Sequence, residues 1–165
     1  MTVLKQGYRM RLVTNSNSFK EDMPAINKLI TQLSSQTNIG TDLDFQSFLS
    51  IINEENTYVF VVRKKTEGKN VIVGIAKVHF HRQLVAGMVG YVSDVVVDIN
   101  ERGKGLGKAL NMSIIKIAES HDANYLELTS NSNNPSRQTA AELYRSLGYE
   151  KSDTNVYRLN LAMIK

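Results

Sequence analysis

Between a Val-rich run, Tyr91 to Val97, and an apolar stripe of helical spacing stands the segment Arg102-Gly103-Lys104-Gly105-Leu106-Gly107. No other stretch restricts the fold of this chain as much. Its glycines let the backbone turn sharply and let a ligand come close to it. From Leu106 the period becomes helical, with Leu106, Ala109, Leu110, Ile114, Ile117 and Ala118 on one side. The start of such a helix offers N–H groups without intrahelical partners and the positive end of a dipole. A strand, a glycine loop and a helix mouth in that order suit a phosphate or pyrophosphate. Arg102, Lys104 and Lys108 add formal positive charge around the loop. The plain alternative is a glycine-rich turn that holds no ligand.

Two familiar phosphate loops fail on these residues. A P-loop requires Gly-x-x-x-x-Gly-Lys-Ser/Thr. Gly107-Lys108 fits its end, but Arg102 stands where the first Gly belongs and Ala109 where the hydroxyl belongs. A dinucleotide fingerprint requires Gly-x-Gly-x-x-Gly at the first strand-to-helix turn. Counted from Gly105, its third Gly falls on Leu110, and the loop comes late in the chain.

The remaining elements follow from periodicity and turn residues. Tyr8 to Val13 reads as a strand. Phe19 to Leu33 has apolar residues at helical spacing, and Phe45 to Ile52 reads as a second helix beyond the polar stretch Ser34 to Asp44. Glu67-Gly68-Lys69-Asn70 is a turn signal between Tyr58 to Arg63 and Val71 to Phe80, which predicts a hairpin. Gly87 breaks the chain before the Val-rich strand. Tyr125 to Thr129 is a short strand, and Asn134-Pro135-Ser136 starts a helix. Ala140, Leu143, Tyr144 and Leu147 form its stripe and Gly148 its C-cap. Val156 to Leu161 reads as a closing strand. Hairpins first and strand–helix alternation later imply a mixed sheet with helices on both faces.

At 165 residues the chain fits one domain, 1–165, and no linker or repeat divides it. It has no Cys, which excludes a thiol nucleophile, a zinc–thiolate site and a disulfide framework. With no apolar segment at its start or of membrane-spanning length, a cytoplasmic protein without membrane partners is expected. The formal net charge of +4 and pI of about 9.3 suit an anionic ligand. The basic residues are scattered, with only the short run Arg63-Lys64-Lys65, so a nucleic-acid partner is not expected.

Strict alternation along Tyr91 to Val97 puts Asp94 on one face with Val92 and Val96. A carboxylate among valines is a candidate base, or else a structural acid bonded to amides or a neighbouring cation. His79 and His81 alternate on one strand and share a face; without an evident third ligand they read as surface or cleft-lining residues, and no metal is expected. Asn111-Met112-Ser113 has the spacing of a glycosylation acceptor but falls inside a helix, which argues against that use.

Arg102, Gly105 and Gly107 fit the pattern Arg/Gln-x-x-Gly-x-Gly/Ala, and Ala140 to Tyr149 fits Ala-x-x-x-Tyr-x-x-x-Gly-Phe/Tyr. With them the chain resembles the GNAT (GCN5-related) N-acetyltransferases, most strongly from Gly90 to Tyr149. The resemblance implies an α+β fold with a mixed, mostly antiparallel central sheet of six to seven strands. It implies acetyl-CoA as co-substrate, an amine as acceptor, and direct transfer between them. The loop, from Arg102 through Lys108, would bind the cofactor, its main-chain amides holding the CoA pyrophosphate. Main-chain groups of the segment Val95, Val96 and Val97 would hold the pantetheine arm, where this strand splays from its neighbour. Asp94 would relay the amine proton and Tyr144 would protonate the leaving sulfur. Two departures stand out. Ser93 occupies a position where the family often has an acid. Arg137 stands where many members have a CoA-contacting Asn, so Arg137 and the nearby Asn133 and Asn134 are candidates for that contact. Dimers are frequent among similar proteins. The rival reading is a non-catalytic CoA-binding or regulatory module on the same fold.

Overall fold

The computed structural model describes residues 4–14, 17–33, 42–130, 138–159 and 161. They fall into two compact units, residues 1–129 and 130–165. The first unit holds β1 (Tyr8–Leu12), α1 (Met23–Leu33), α2 (Phe45–Ile52), β2 (Thr57–Thr66), β3 (Lys69–Gln83), β4 (Gly87–Val97), α3 (Leu106–Ser120) and β5 (Tyr125–Leu128). The second holds α4 (Gln138–Ser146).

The strands form one sheet in the order β1-β2-β3-β4-β5. The first four pair antiparallel in sequence, and β5 joins β4 in parallel. The β2–β3 hairpin closes on the pair Thr66↔Lys69, with Gly68 at φ 76 in its tight turn. Glycine takes that backbone without steric cost. A helix crossover is what a parallel partner for β4 requires, and α3 supplies it.

Each face of the sheet has its own core. On one, α1 and α2 press Ile26, Leu29, Phe48 and Ile52 against Val59, Val61, Ile72, Ile75 and Val96. On the other, α3 brings Leu106, Leu110 and Ile114 against Phe60, Val62, Val78, Phe80 and Val92. The expected apolar stripe of α3 is therefore a core face. The 3.6-residue spacing of its apolar positions explains why the helix lies flat on the sheet. At the start of α2, Asp44 accepts a bond from the Ser47 amide at 2.9 Å, a side-chain cap that fixes where the helix begins.

The sheet of six to seven strands is corrected to five among the described residues. The expected strand Val156 to Leu161 does not form over its described part: Val156 is 70% and Tyr157 90% exposed, with no ladder. Its apolar pattern is right for a strand, but a strand exists only where a partner edge takes its hydrogen bonds. The helix expected from Phe19 divides into a 3₁₀ turn, Asn17–Asp22, followed by α1. The helix start at Asn134-Pro135-Ser136 lies outside the described residues, as do Asn133, Asn134 and Arg137 themselves.

Candidate functional site

The strand β4 is not a regular strand. Its ladder with β3 shifts register between Ile75 and Lys77, and Asp94 sits there at φ 56, in the left-handed region. One extra residue on β4 makes a bulge. The expectation that Asp94 shares a face with Val92 and Val96 is therefore overturned. Val92 packs toward α3, Val96 toward α1 and α2, and Asp94 turns outward. Its carboxylate is partly exposed, accepts a bond from Ser93 Oγ at 3.1 Å, and lies 3.3 Å from Lys77 Nζ. Asp94 is thus no buried acid among valines but an accessible one held by a cation.

The bulge coincides with the end of a ladder. The pairs between β4 and β5 run from Val89↔Tyr125 to Val92↔Leu128 and stop. On the other side, β4 stays paired to β3 as far as Val97↔Gly74. From Ser93 to Val97, β4 therefore presents its main chain along an edge that β5 no longer covers. Val95 and Val97 are half-buried on the α3 side of this stretch, and only the main chain of Val96 remains for a ligand, since its side chain is core.

Beyond β4 the chain runs through a 3₁₀ turn, Ile99–Glu101, capped by Asp98, into the glycine loop. Gly103 and Gly105 take φ 73 and 78, and a Cβ added at either would meet no atom within 4 Å. What makes glycine necessary here is the backbone angle, and the space beside it is open. Gly105 is the N-cap of α3 in a left-handed conformation, without a side-chain cap. Among the described residues no side chain caps the first-turn amides of α3, and they lie beside the open loop. Leu106 is fully buried and anchors the helix start, while Gly107 is half-buried and Lys108 exposed.

The charges around the loop differ from the sequence expectation. Lys104 Nζ is 2.7 Å from Glu101 Oε2 and also donates to the Asn100 carbonyl; Arg102 Nε donates to the Val97 carbonyl. Glu101, which sequence reasoning passed over, is the hub. Only 7% exposed, it accepts from Tyr8 Oη at 2.5 Å and from Lys64 and Lys104 at 2.7 Å each. The bonds from Lys104, Lys64 and Tyr8 hold its carboxyl down at about 2 against burial, and the same bond raises Lys104. The sequence carried one sign of this, the Glu101/Lys104 spacing of three residues. Tyr8 and Lys64 are too distant along the chain to be read from it.

In the second unit, α4 ends on Gly148 at φ 89. The Gly148 amide donates to the Arg145 carbonyl and the Tyr149 amide to the Tyr144 carbonyl, both at 3.0 Å. This is a Schellman ending, and its usual apolar contact is the edge-on meeting of Tyr144 and Tyr149, 5.7 Å between centroids. Burial, with Tyr144 nearby, pushes the Tyr149 phenol up to about 12. The signature Tyr-x-x-x-Gly-Tyr is therefore first of all a helix stop, which Gly148 was expected to be.

His79 and His81 do share a face, with their rings stacked at 6.1 Å. Among the described residues no group of three or more His, Asp or Glu side chains is placed to hold a metal, and no helix is long and apolar enough to cross a membrane. Asn111 is fully buried and gives its amide to the Gly107 carbonyl at 3.0 Å, so it is no exposed acceptor for a sugar.

Known structures share this architecture. The fold is similar to a Trypanosoma brucei acetyltransferase, with TM-score 0.71 at 24% identity over 93% of this chain and 99% of that one. It is similar to glucosamine-6-phosphate N-acetyltransferase from Arabidopsis thaliana, with TM-score 0.70 at 22% identity over 92% and 97%. An aminoglycoside acetyltransferase from an uncultured soil metagenomic sample gives TM-score 0.73 at 19% identity over 94% and 98%. Residues 26–149 match the family model Acetyltransferase (GNAT). With well over half of its length matched, and with the bulged strand and glycine loop inside the match, the chain belongs to the GNAT acetyltransferase family.

Proposed function

We propose that this family member is an N-acetyltransferase that moves the acetyl group of acetyl-CoA directly to a primary amine, with residues 1–165 working as one domain. The observation that carries the reading is a pair of main-chain stretches joined by a short turn. One is the part of β4 beyond Val92 that the β5 ladder does not cover, and the other is the first amides of α3 beyond Gly103 and Gly105, where no described side chain caps them. A thioester cofactor with a peptide-like arm and a diphosphate fits such a pair. The arm takes strand-like bonds from Val95 and Val97, and the diphosphate takes the amides of Gly105 to Lys108 and the helix dipole. Lys108, in the first turn of α3, is exposed.

An ammonium cannot attack a thioester until it loses a proton. Asp94, accessible beside the uncovered stretch of β4, accepts that proton at Oδ2, directly or through water, which is worth roughly 10²–10⁴-fold. The Tyr144 hydroxyl is the proposed proton donor to the departing sulfur. The ring and carbonyl of Tyr144 have their own work in the helix stop. Asn134 and Arg137 remain proposed CoA contacts. Bound acetyl-CoA supplies the activated acyl group, and no covalent enzyme intermediate is required of a chain without Cys. Calorimetric titration with acetyl-CoA, followed by thiol release in the presence of an amine panel, tests the reading. Absence of binding heat overturns it, and binding without turnover on any amine would favour the non-catalytic module.

A further inference from the structure

One face of the sheet changes character at Asp94. On the side away from α3, the part beneath α1 and α2 is apolar, with Val59, Val61, Ile72, Ile75 and Val96. Past the bulge the same side turns polar. Residues directly opposite in a ladder share a face. The pairs Lys77↔Ser93, His79↔Tyr91 and Tyr91↔Glu127 therefore set these side chains side by side. Contacts agree: His79 stacks on His81, and Tyr91 Oη meets Thr129 Oγ1 at 3.2 Å. Thr57 bonds Nδ1 of His79 and Gln83 bonds Nε2 of His81, and among the described residues the second nitrogen of each ring has no hydrogen-bond partner. Glu127 is exposed.

At the head of this floor, Asp94 is already paired with an amine. Lys77 Nζ, half-buried, stands 3.3 Å from Asp94 Oδ2, in the place an acceptor ammonium must take if Asp94 is to receive its proton. We propose that the acceptor is a small, cationic, hydroxyl-bearing amine of amino-sugar type, received on the floor of His79, His81, Tyr91 and Glu127, and that its ammonium displaces Lys77 from Asp94. The chemistry of the floor selects this class. Imidazole nitrogens and the Tyr91 hydroxyl serve hydroxyl groups, and the carboxylates of Asp94 and Glu127 serve ammonium groups. An aromatic or alkyl amine would leave these polar groups unpaired, which costs affinity. A sugar phosphate would bring an anion beside Glu127. Lys77 is then a specificity-determining residue, since only an amine able to compete with a tethered ammonium gains the site.

The proposal rests on the acetyltransferase reading above, and its test separates the two. Acetyl-CoA binding is measured first, by calorimetry on the full chain. Thiol release is then followed with glucosamine, glucosamine 6-phosphate, a deoxystreptamine aminoglycoside, phenethylamine and a lysine-containing peptide. The expected result is kcat/KM for glucosamine or the aminoglycoside at least tenfold above that for phenethylamine and the sugar phosphate. In Lys77→Met the acceptor KM should fall severalfold while the KM for acetyl-CoA holds; Lys77→Arg should restore the wild-type value. Glu127→Gln should raise the acceptor KM alone. Acetyl-CoA binding with a preference for phenethylamine, the sugar phosphate or the peptide overturns this inference and leaves the acetyltransferase reading standing. So does a rise in acceptor KM in Lys77→Met. Loss of acetyl-CoA binding altogether removes both.

Discussion

Val92 and Val96 stand four residues apart in β4, yet their side chains are buried in different cores, one beneath α3 and the other beneath α1 and α2. A regular pleat would put them on the same face. The extra residue at Asp94 reverses the alternation, so one strand feeds both cores and its main chain is exposed between them. The reversal also delivers the carboxylate to the surface without burying a charge. Structure and proposed chemistry thus share one local irregularity.

That irregularity is testable at Asp94. Asn tolerates the left-handed region about as well as Asp does. Asp94→Asn should therefore keep the fold, with thermal unfolding nearly unchanged, while kcat/KM drops roughly 10²–10⁴-fold. Asp94→Val should in addition lose about 1–2 kcal/mol of stability, because a β-branched residue is strained at φ 56. Equal activity in Asp94→Asn and the wild type would leave Asp94 a structural residue only.

Tyr144 has two separable parts. Its ring packs edge-on against Tyr149 and closes the helix stop; its hydroxyl is the proposed acid. Tyr144→Phe keeps the ring, so melting temperature and acetyl-CoA affinity should stay close to wild type while kcat falls at least tenfold. Tyr144→Ala removes the contact as well and should destabilise by about 1 kcal/mol or more. If Phe and Ala variants lose activity only in proportion to stability, the hydroxyl has no chemical role.

What the sequence disclosed and what it withheld divide along a physical line. The α3 stripe, the hairpin turn around Gly68, the start of α2 at Phe45 and the stop at Gly148 are local, set by spacing and turn residues within a few positions, although Lys69 and Asn70, read as turn, belong to the ladder. The glycine loop was legible for the same reason. Two kinds of feature were not. The bulge at Asp94 depends on register with β3, and Asp94 does not announce a left-handed angle as Gly would. The Glu101 hub joins residues from β1, β2 and the loop, a juxtaposition created only by the fold. The expected strand from Val156 failed for a related reason: alternation describes a strand's faces but does not supply the edge that it pairs with.

Gly105 separates backbone angle from space. A methyl there would meet nothing within 4 Å, so the cost of Gly105→Ala is the strain of φ 78, roughly 1–2 kcal/mol. The same methyl stands in the open ground beside the first amides of α3. The variant should fold, melt a few degrees lower, and bind acetyl-CoA at least tenfold more weakly by calorimetry. Gly90→Ala offers a contrast within the same unit. Its methyl would come within 2.5 Å of Leu126 and 2.7 Å of the Phe80 ring, which predicts a packing loss of about 1–3 kcal/mol with acetyl-CoA affinity kept in the folded fraction.

Glu101 makes the stability of the first unit depend on acid. Its carboxyl, ordinarily near 4.5, is held at about 2 by Lys104, Lys64 and Tyr8. A carboxyl depressed in the folded state binds its proton more readily when unfolded. Its contribution is therefore present in full above pH 4.5 and is lost as pH falls from there toward 2. For a shift of this size the loss is on the order of 3 kcal/mol. In Glu101→Gln, stability at pH 7 should be lower, because Lys64 and Lys104 lose their counter-charge, and its decline between pH 5 and 2 should be shallower than in the wild type. Urea unfolding across that range measures both. Parallel pH profiles for the two proteins would show that the carboxylate bonds drawn around Glu101 do not stabilise the fold.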